Sequence, residues 1–269
     1  MTDEQPAAGR PSAATEPSGA VRSGTVSPLT VDTGVEGVSR VLVVTAHPDD
    51  VDFGMAGTMA CWTDAGVEVA YCICTDGEAG GSDRTITRAE MAAIRRDEQR
   101  AAAAAVGVTN VTFLGYPDGR LMPSLDLRRD ISRVIRQFRP DRVVTQSPER
   151  SWTRIYASHP DHLAAGEAAT CAVYPDARNP FAHPELLDEG LEPHVVPELW
   201  VGATDRADLV VDVTASFDRK LAALRSHRSQ VGDGQHLEPM LRQWMAASAA
   251  AGGLDDGRLG EVYLVVDTA

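Results

Sequence analysis

The sequence predicts an α/β fold with a Rossmann-like, mostly parallel sheet flanked by helices. Short runs of β-branched and aliphatic residues alternate along the chain with longer segments of helical periodicity. The runs are apolar throughout, as is usual for parallel strands that are buried on both faces. Strands that alternate with helices indicate βαβ units, in which neighbouring strands lie parallel.

Each predicted strand is an apolar run, and the helices between them are bounded by recognisable caps. Gly66 follows the first helix and Gly107 the second, Thr87 and Glu90 form a capping-box pattern, and Pro140 follows the third. In chain order, the elements are a strand at 41–44, a helix at about 55–65, a strand at 68–75, a helix at 87–106, a strand at 110–114, a helix at about 125–138, a strand at 142–146, a helix at about 160–173, strands near 199–203 and 209–213, a helix at about 215–229 and a strand at 261–266.

Two segments fall outside this pattern. Residues 1–36 are rich in Ser, Thr, Pro, Gly and Ala without hydrophobic periodicity, which predicts a disordered tail before a single domain over 37–269. Residues 174–197 are Pro-rich and irregular. They are a candidate for substrate specificity, since binding contacts are often made by loops.

Charge and cysteine content narrow the range of partners and compartments. The net charge of −14 disfavours nucleic acid and anionic membranes as partners. The four cysteines form no C-x-x-C pair, which is typical of reduced thiols in a cytoplasmic protein. We expect neither a transmembrane segment nor a signal peptide, because no apolar stretch of the required length occurs.

Two short segments of similar design carry metal-binding side chains. His47-Pro48-Asp49-Asp50 follows the first predicted strand, and His159-Pro160-Asp161-His162 follows the fourth after a longer loop. Imidazole and carboxylate groups are suitable zinc ligands. Proline favours an extended residue before it and can itself begin a helix. Either segment alone could equally be a turn in which aspartate caps a helix.

The predicted topology makes these two segments neighbours. In a doubly wound sheet of order 3-2-1-4-5, strands 1 and 4 are adjacent, and ligands bind at the carboxyl ends of the strands at this switch point. Residues more than 100 positions apart therefore converge there. We predict a metal site at this edge of the sheet.

At these residues the chain resembles the PIG-L/LmbE-like deacetylases. The resemblance spans about residues 38–230 and includes supporting features at Arg95-x-x-Glu98, Tyr116-Pro117-Asp118-Gly119 and Lys220 to Gln230. It implies an LmbE-like fold and a zinc-dependent hydrolase with one Zn²⁺ per chain. The expected reaction removes an N-acetyl or similar acyl group from a small amino sugar or sugar conjugate.

The resemblance also assigns roles to individual residues. His47, Asp50 and His162 would hold zinc, and Asp49 would be the general base that takes a proton from the attacking water. His159 would stabilise the oxyanion and protonate the leaving amine, oriented by Asp161. Some family members carry a tyrosine two residues before this histidine, where the present chain has Ala157 and places Tyr156 one position earlier.

Arg95, Asp118 and His227 would contact the substrate by the same resemblance. Simpler interpretations remain open for each of them. Arg95 could pair with Glu98 three residues away on a helix, and Asp118 could be a turn residue. His227 could interact with a helix C-terminus, and Asp161 could only cap its helix.

Two other functions stay open at this stage. One is an amidase that acts on thiol conjugates or other acylated amines, which would need the same metal centre. The other is a Rossmann-like binding protein without catalytic activity, although no predicted ligand or base is missing here. The sequence leaves the exact substrate and the oligomeric state open, including a homo-oligomer.

Overall fold

The computed structural model describes residues 29–81 and 83–269. Within these residues, eight strands form one sheet. The strands are β1 (Thr30–Val31), β2 (Arg40–Thr45), β3 (Glu68–Thr75), β4 (Asn110–Tyr116), β5 (Arg142–Gln146), β6 (Glu198–Gly202), β7 (Leu209–Asp212) and β8 (Gly260–Asp267). The α-helices are α1 (Asp50–Gly54), α2 (Ala56–Asp64), α3 (Arg88–Ala105), α4 (Leu125–Phe138), α5 (Pro160–Cys171), α6 (Glu185–Asp188), α7 (Phe217–Ser226), α8 (Arg228–Val231) and α9 (Leu237–Ala251).

The sheet has the order β1-β7-β8-β6-β5-β2-β3-β4. Five neighbouring strands pair in parallel, in the order β4, β3, β2, β5 and β6. β8 lies antiparallel between β6 and β7. β2 and β5, the first and fourth predicted strands, are direct neighbours, with Leu42 opposite Val143. The predicted fold class and the central strand order are therefore confirmed.

The sheet separates two hydrophobic cores, one on each face. In β2, Val41 and Val43 pack into one core while Leu42 and Val44 pack into the other, as the alternation of a strand requires. All four side chains are fully buried. Burial on both faces explains why the strand is apolar without interruption.

The helix boundaries agree with the sequence where caps are present and differ elsewhere. Thr87 and Glu90 form the predicted capping box of α3. The predicted helix at 215–229 is instead two helices, because His227 has non-helical backbone angles (φ −83°, ψ 55°). The sequence analysis missed α9, although its buried residues recur every four positions: Leu237, Leu241, Met245 and Ala249.

The folded part of the chain begins earlier in the sequence than the predicted end of the N-terminal tail. Residues 1–28 lie outside the described residues. Thr30–Val31 pairs with β7, the Thr33 carbonyl accepts a hydrogen bond of 2.7 Å from the indole of Trp62, and Val35 packs against the core. The stretch from residue 30 onwards is thus part of the folded body, contrary to the expected boundary at residue 36.

Residues 174–197 are held against α4. The guanidinium of Arg136 is buried and donates hydrogen bonds to the carbonyls of Ala177, Leu191, Asp176, Asn179 and Ala182. Arg128 forms a two-pronged pair with Asp176. None of the polar contacts among the described residues joins this segment to the two His-Pro-Asp motifs, so the expected role in substrate specificity has no support here.

Among the residues that the structure describes, no helix is both long enough and apolar enough to cross a membrane.

Candidate metal centre and active site

The two His-Pro-Asp motifs meet where β2 and β5 end. The first motif begins two residues after Thr45, and α5 begins inside the second. The side chain of Gln146, the last residue of β5, accepts a hydrogen bond of 2.9 Å from the Ala46 N–H. The exits of the two strands are thereby tied together, and the predicted convergence at the switch point is confirmed.

The predicted metal ligands lie within reach of one another. Ring nitrogens of His47, His159 and His162 all lie within 4.8 Å of each other. Asp50 connects two of these rings, since its Oδ2 is 3.3 Å from His47 Nδ1 and its Oδ1 is 3.0 Å from His162 Nε2. This set of imidazoles and a carboxylate suits a divalent metal ion, with His159 as a further nearby donor.

His47 is surrounded by carboxylates on both sides of its ring. Its Nε2 lies 3.1 Å from Asp118 Oδ1 and 3.3 Å from Asp161 Oδ2, opposite the nitrogen that faces Asp50. Burial alone would lower the pKa of His47, but the three carboxylates outweigh burial and raise it to about 12. The site therefore strongly favours positive charge, which is what a metal ion would bring.

Asp161 is predicted to orient His159, a role that its contacts in this structure leave a prediction. Its carboxylate contacts His47 and accepts hydrogen bonds from the N–H groups of Gly119 (2.7 Å) and Leu121 (3.2 Å). It meets His159 only through its own backbone N–H, which donates to Nδ1 at 3.2 Å. The first turn of α5 directs this carboxylate towards His47. A carboxylate behind a ligating histidine fixes the orientation of the ring.

Asp118 has a similar position on the other side of the same nitrogen. It is 8% exposed, with one oxygen on His47 and the other accepting a 2.9 Å hydrogen bond from the Ala79 N–H. Glu78, in the Gly-rich loop, accepts a hydrogen bond from the Asp118 N–H at 3.0 Å. Both of its oxygens are thus engaged by the protein, and its predicted contact with the substrate stays a prediction.

Asp49, the predicted base, sits in a strained backbone conformation. Its φ is 92° and its ψ −24°, values that are uncommon for a residue other than glycine. Burial raises the pKa of its carboxyl group to about 7, with Arg95 lowering it and Asp50 raising it. A carboxylate with a pKa near neutrality is well suited to exchange protons with a substrate or water.

Arg95 holds the loops of the site together. Its guanidinium donates to Asp49 Oδ2 at 3.0 Å, to the Gly77 carbonyl at 2.8 Å and to the Pro48 carbonyl. At 4% exposed it is not a surface partner of Glu98, and its predicted contact with the substrate stays a prediction. A Cβ atom on Gly77 would collide with this guanidinium, which explains a glycine there.

His159 is the exposed histidine of the three, so it is open to an incoming substrate. Partial burial, followed by the nearby rings of His47 and His162, lowers its pKa. Tyr156 does not turn towards His159. Its ring is 68% exposed and stacks against Trp244 of α9, with centroids 6.4 Å apart.

His227 is predicted to contact the substrate, a role that stays a prediction. It is fully buried, and its Nε2 lies 2.8 Å from Asp52 Oδ2. The sequence analysis missed Asp52 and Gln99, which occupy the space between this histidine and Asp49. The spacing of Gln99 four residues after Arg95 on α3 could have indicated it, since such residues share one face of a helix.

The sequence and the structure both match proteins that are named as deacetylases. Residues 42–173 match the family model PIG-L, described as GlcNAc-PI de-N-acetylase. The chain is 34% identical to the diacetylchitobiose deacetylase of Thermococcus kodakarensis over 211 residues, 76% of each chain. It is 33% identical to a probable N-acetyl-α-D-glucosaminyl L-malate deacetylase 2 of Bacillus cereus, covering 71% of this chain and 83% of that relative.

Among solved structures, the N,N′-diacetylchitobiose deacetylase from Pyrococcus horikoshii in complex with its inhibitor MPG is similar throughout. The TM-score is 0.79 at 33% sequence identity, and the match covers 86% of this chain and 85% of the other.

Proposed function

This chain belongs to the PIG-L family of GlcNAc-PI de-N-acetylases, and on that premise we propose that it is a zinc-dependent N-deacetylase of small amino sugars or sugar conjugates. The observation that carries this proposal is the convergence of His47, Asp50 and His162 beside Asp49 and His159. The relatives named above are deacetylases of diacetylchitobiose and of N-acetyl-α-D-glucosaminyl L-malate. An acetylated amino sugar is common to those names.

We propose one zinc ion per chain, held by His47, Asp50 and His162. The fit rests on the donor set and on the excess of carboxylates around His47. When bound, zinc polarises the amide carbonyl and acidifies the attacking water. Asp118 and Asp161 keep the ring of His47 in place from the opposite side.

The residues of the chain then divide the proton transfers of amide hydrolysis. Asp49 accepts a proton from the water as the water oxygen forms a bond to the carbonyl carbon of the acetyl group. His159, exposed at the rim, stabilises the developing oxyanion and donates a proton to the amine nitrogen as the C–N bond breaks. Acetate and a free amine are the products. Arg95 keeps the Asp49 carboxylate in position throughout.

We further propose that the chain from residue 30 onwards forms a single domain of this type, since β1 to β8 belong to one sheet. A cytoplasmic location is also part of the proposal. The thiols of Cys72 and Cys74 are buried in β3, which fits a protein that works in its reduced form.

The decisive experiment measures zinc content and acetate release for the wild type and Asp49→Asn. The substrates are N,N′-diacetylchitobiose, N-acetylglucosamine and an amide of a thiol conjugate. We expect about one zinc per chain in both proteins and a fall in kcat of about 10²–10⁴-fold in the variant. Asp97→Asn is the matched control, because this aspartate is 81% exposed on α3.

Each other outcome selects a different function. Hydrolysis of the thiol-conjugate amide without acetate release from the sugars would establish the amidase instead. A wild type that takes up no zinc would remove the metal centre from the proposal and favour a binding protein. Full activity in Asp49→Asn would rule out this residue as the base.

A further inference from the structure

The backbone of Asp49 is held by a chain of buried polar groups. Its N–H donates a 2.8 Å hydrogen bond to Gln99 Oε1 on α3. The amide nitrogen of the same glutamine donates to Asp52 Oδ2 at 2.9 Å, and that oxygen also faces His227 Nε2 at 2.8 Å. Gln99, Asp52 and His227 are each 0% exposed.

The geometry fixes the direction of every hydrogen bond in this chain. The Asp49 N–H can only donate, so the oxygen of the Gln99 side chain must face it and its NH₂ group must face Asp52. The carboxylate of Asp52 accepts on one oxygen from both neighbours, which requires a proton on Nε2 of His227. A side chain at any of the three positions that breaks this order leaves a buried polar atom without a partner.

Asp49 needs such support because its backbone is strained. A residue with φ of 92° keeps this conformation only when its surroundings over-determine it, and strained residues of this kind cluster at active sites. The Asp49 carboxylate is anchored by Arg95, which lies one turn before Gln99 on α3. The peptide group and the side chain of Asp49 are therefore each held by a residue of this helix.

The far end of the chain is anchored as firmly as the near end. His227 lies at the break between α7 and α8, where helical backbone angles stop. Two residues later, the Ser229 N–H and hydroxyl donate to Glu98 at 2.7 and 2.6 Å. Because Glu98 and Gln99 are neighbours on α3, the segment after α7 is fixed to the same helix that holds Asp49.

We propose that Gln99, Asp52 and His227 are positioning residues for the deacetylation, which hold the general base Asp49 in its left-handed backbone conformation. This inference rests on the proposed function, since it assigns them to that reaction. None of the three touches the substrate. Their effect is on where the Asp49 carboxylate points when it meets the water.

The test compares Gln99→Met with wild type, using both catalysis and backbone exchange. Methionine has a similar volume and cannot make either hydrogen bond. We expect kcat to fall about 10–100-fold with zinc content and KM little changed. Hydrogen exchange of the Asp49 amide, followed by NMR, should accelerate about tenfold or more. Ile131→Val on α4 is the control for a buried change in the core away from the site.

A second pair of variants tests His227 through conservative rescue. His227→Gln can still present an N–H to Asp52, whereas His227→Leu cannot. We expect the glutamine variant to recover much of the kcat that the leucine variant loses, at equal zinc content. A purely structural role would lower the stability of both variants and leave their kcat per folded molecule unchanged.

The exchange measurement separates this inference from the proposed function. If Gln99→Met leaves the Asp49 amide as protected as in wild type, or leaves kcat unchanged, the positioning role is wrong. A different result is that wild type releases no acetate from any substrate while the Asp49 amide exchanges faster in Gln99→Met. The proposed function then fails, and the chain of buried polar groups stands as a structural element.

Discussion

Lys220 is the only lysine in the sequence, and it is fully buried. Its ammonium donates to Glu261 Oε1 and to the Phe53 carbonyl, both at 2.7 Å. Glu261 in turn accepts hydrogen bonds from the N–H groups of Gly57 and Thr58 at the start of α2. One ion pair thus joins α7, β8 and the two short helices that follow the first metal-binding motif.

We predict a large loss of stability for Lys220→Met. Removing one partner of a buried ion pair costs about 3–5 kcal/mol, because the remaining charge is left without compensation. For a domain of this size, each kcal/mol shifts the melting temperature by about 2–4 °C, so the expected drop is about 6–20 °C. The double variant Lys220→Met/Glu261→Gln should recover about half of the loss, since the buried charge is then gone.

The assay is urea unfolding followed by tryptophan fluorescence, with Trp62 and Trp200 as buried reporters. Arg225→Met is the matched control, because this cation lies on the same helix, is 51% exposed, and makes only a long contact of 3.9 Å with Glu238. Amine labelling of Lys220 in wild type gives an independent measure of unfolding. The reasoning is refuted if Lys220→Met unfolds within about 1 kcal/mol of wild type, or if Arg225→Met is equally damaging.

Three further predictions address the site and the segment at 174–197. Asp161→Asn should weaken zinc binding by about 10–100-fold in a competition titration, because the carboxylate supports His47; an effect on kcat alone would restore the originally predicted role at His159. Treatment with a chelator should abolish acetate release and lower the melting temperature, and added zinc should restore both, since a ligand stabilises the folded state that binds it. A melting temperature that is the same with and without zinc would contradict the site. Arg136→Met should lower the free energy of unfolding by about 1.5–3 kcal/mol and make residues 174–197 accessible to protease, a result that an unchanged cleavage pattern would exclude.

The fold could be predicted because its strands carry an unambiguous pattern. A strand buried on both faces must be apolar without interruption, and β2, β3 and β5 satisfy this requirement over their central residues. The order of these strands then follows from the rules of doubly wound sheets. The missed helix α9 had the right spacing of apolar residues, but its alanine-rich end gives a weak contrast between buried and exposed positions.

The site was predictable at the level of residue types and not at the level of contacts. Adjacent motifs and sheet topology were enough to bring His47, Asp50 and His162 together. Asp161 and Arg95 each form a hydrogen bond with a residue 40 or more positions away in the sequence. These hydrogen bonds depend on the exact direction in which each side chain leaves its helix. Sequence spacing does not encode such directions, so the contacts of both residues could not be predicted from it.

Electrostatics at the switch point gives a reason why the proposed metal would serve the architecture as well as the reaction. Asp50, Asp118 and Asp161 all face His47, and Asp49 directly precedes Asp50 in the chain. Among the described contacts of these four carboxylates, the permanent cation is Arg95, and it is committed to Asp49. Protonated histidines can compensate the remainder only in part, because burial, followed by the rings of His47 and His162, lowers the pKa of His159. A divalent cation held by His47, Asp50 and His162 would satisfy the same carboxylates while leaving His159 free for the substrate. The charge arrangement that folds this edge of the sheet is thus also the one that prepares it for hydrolysis.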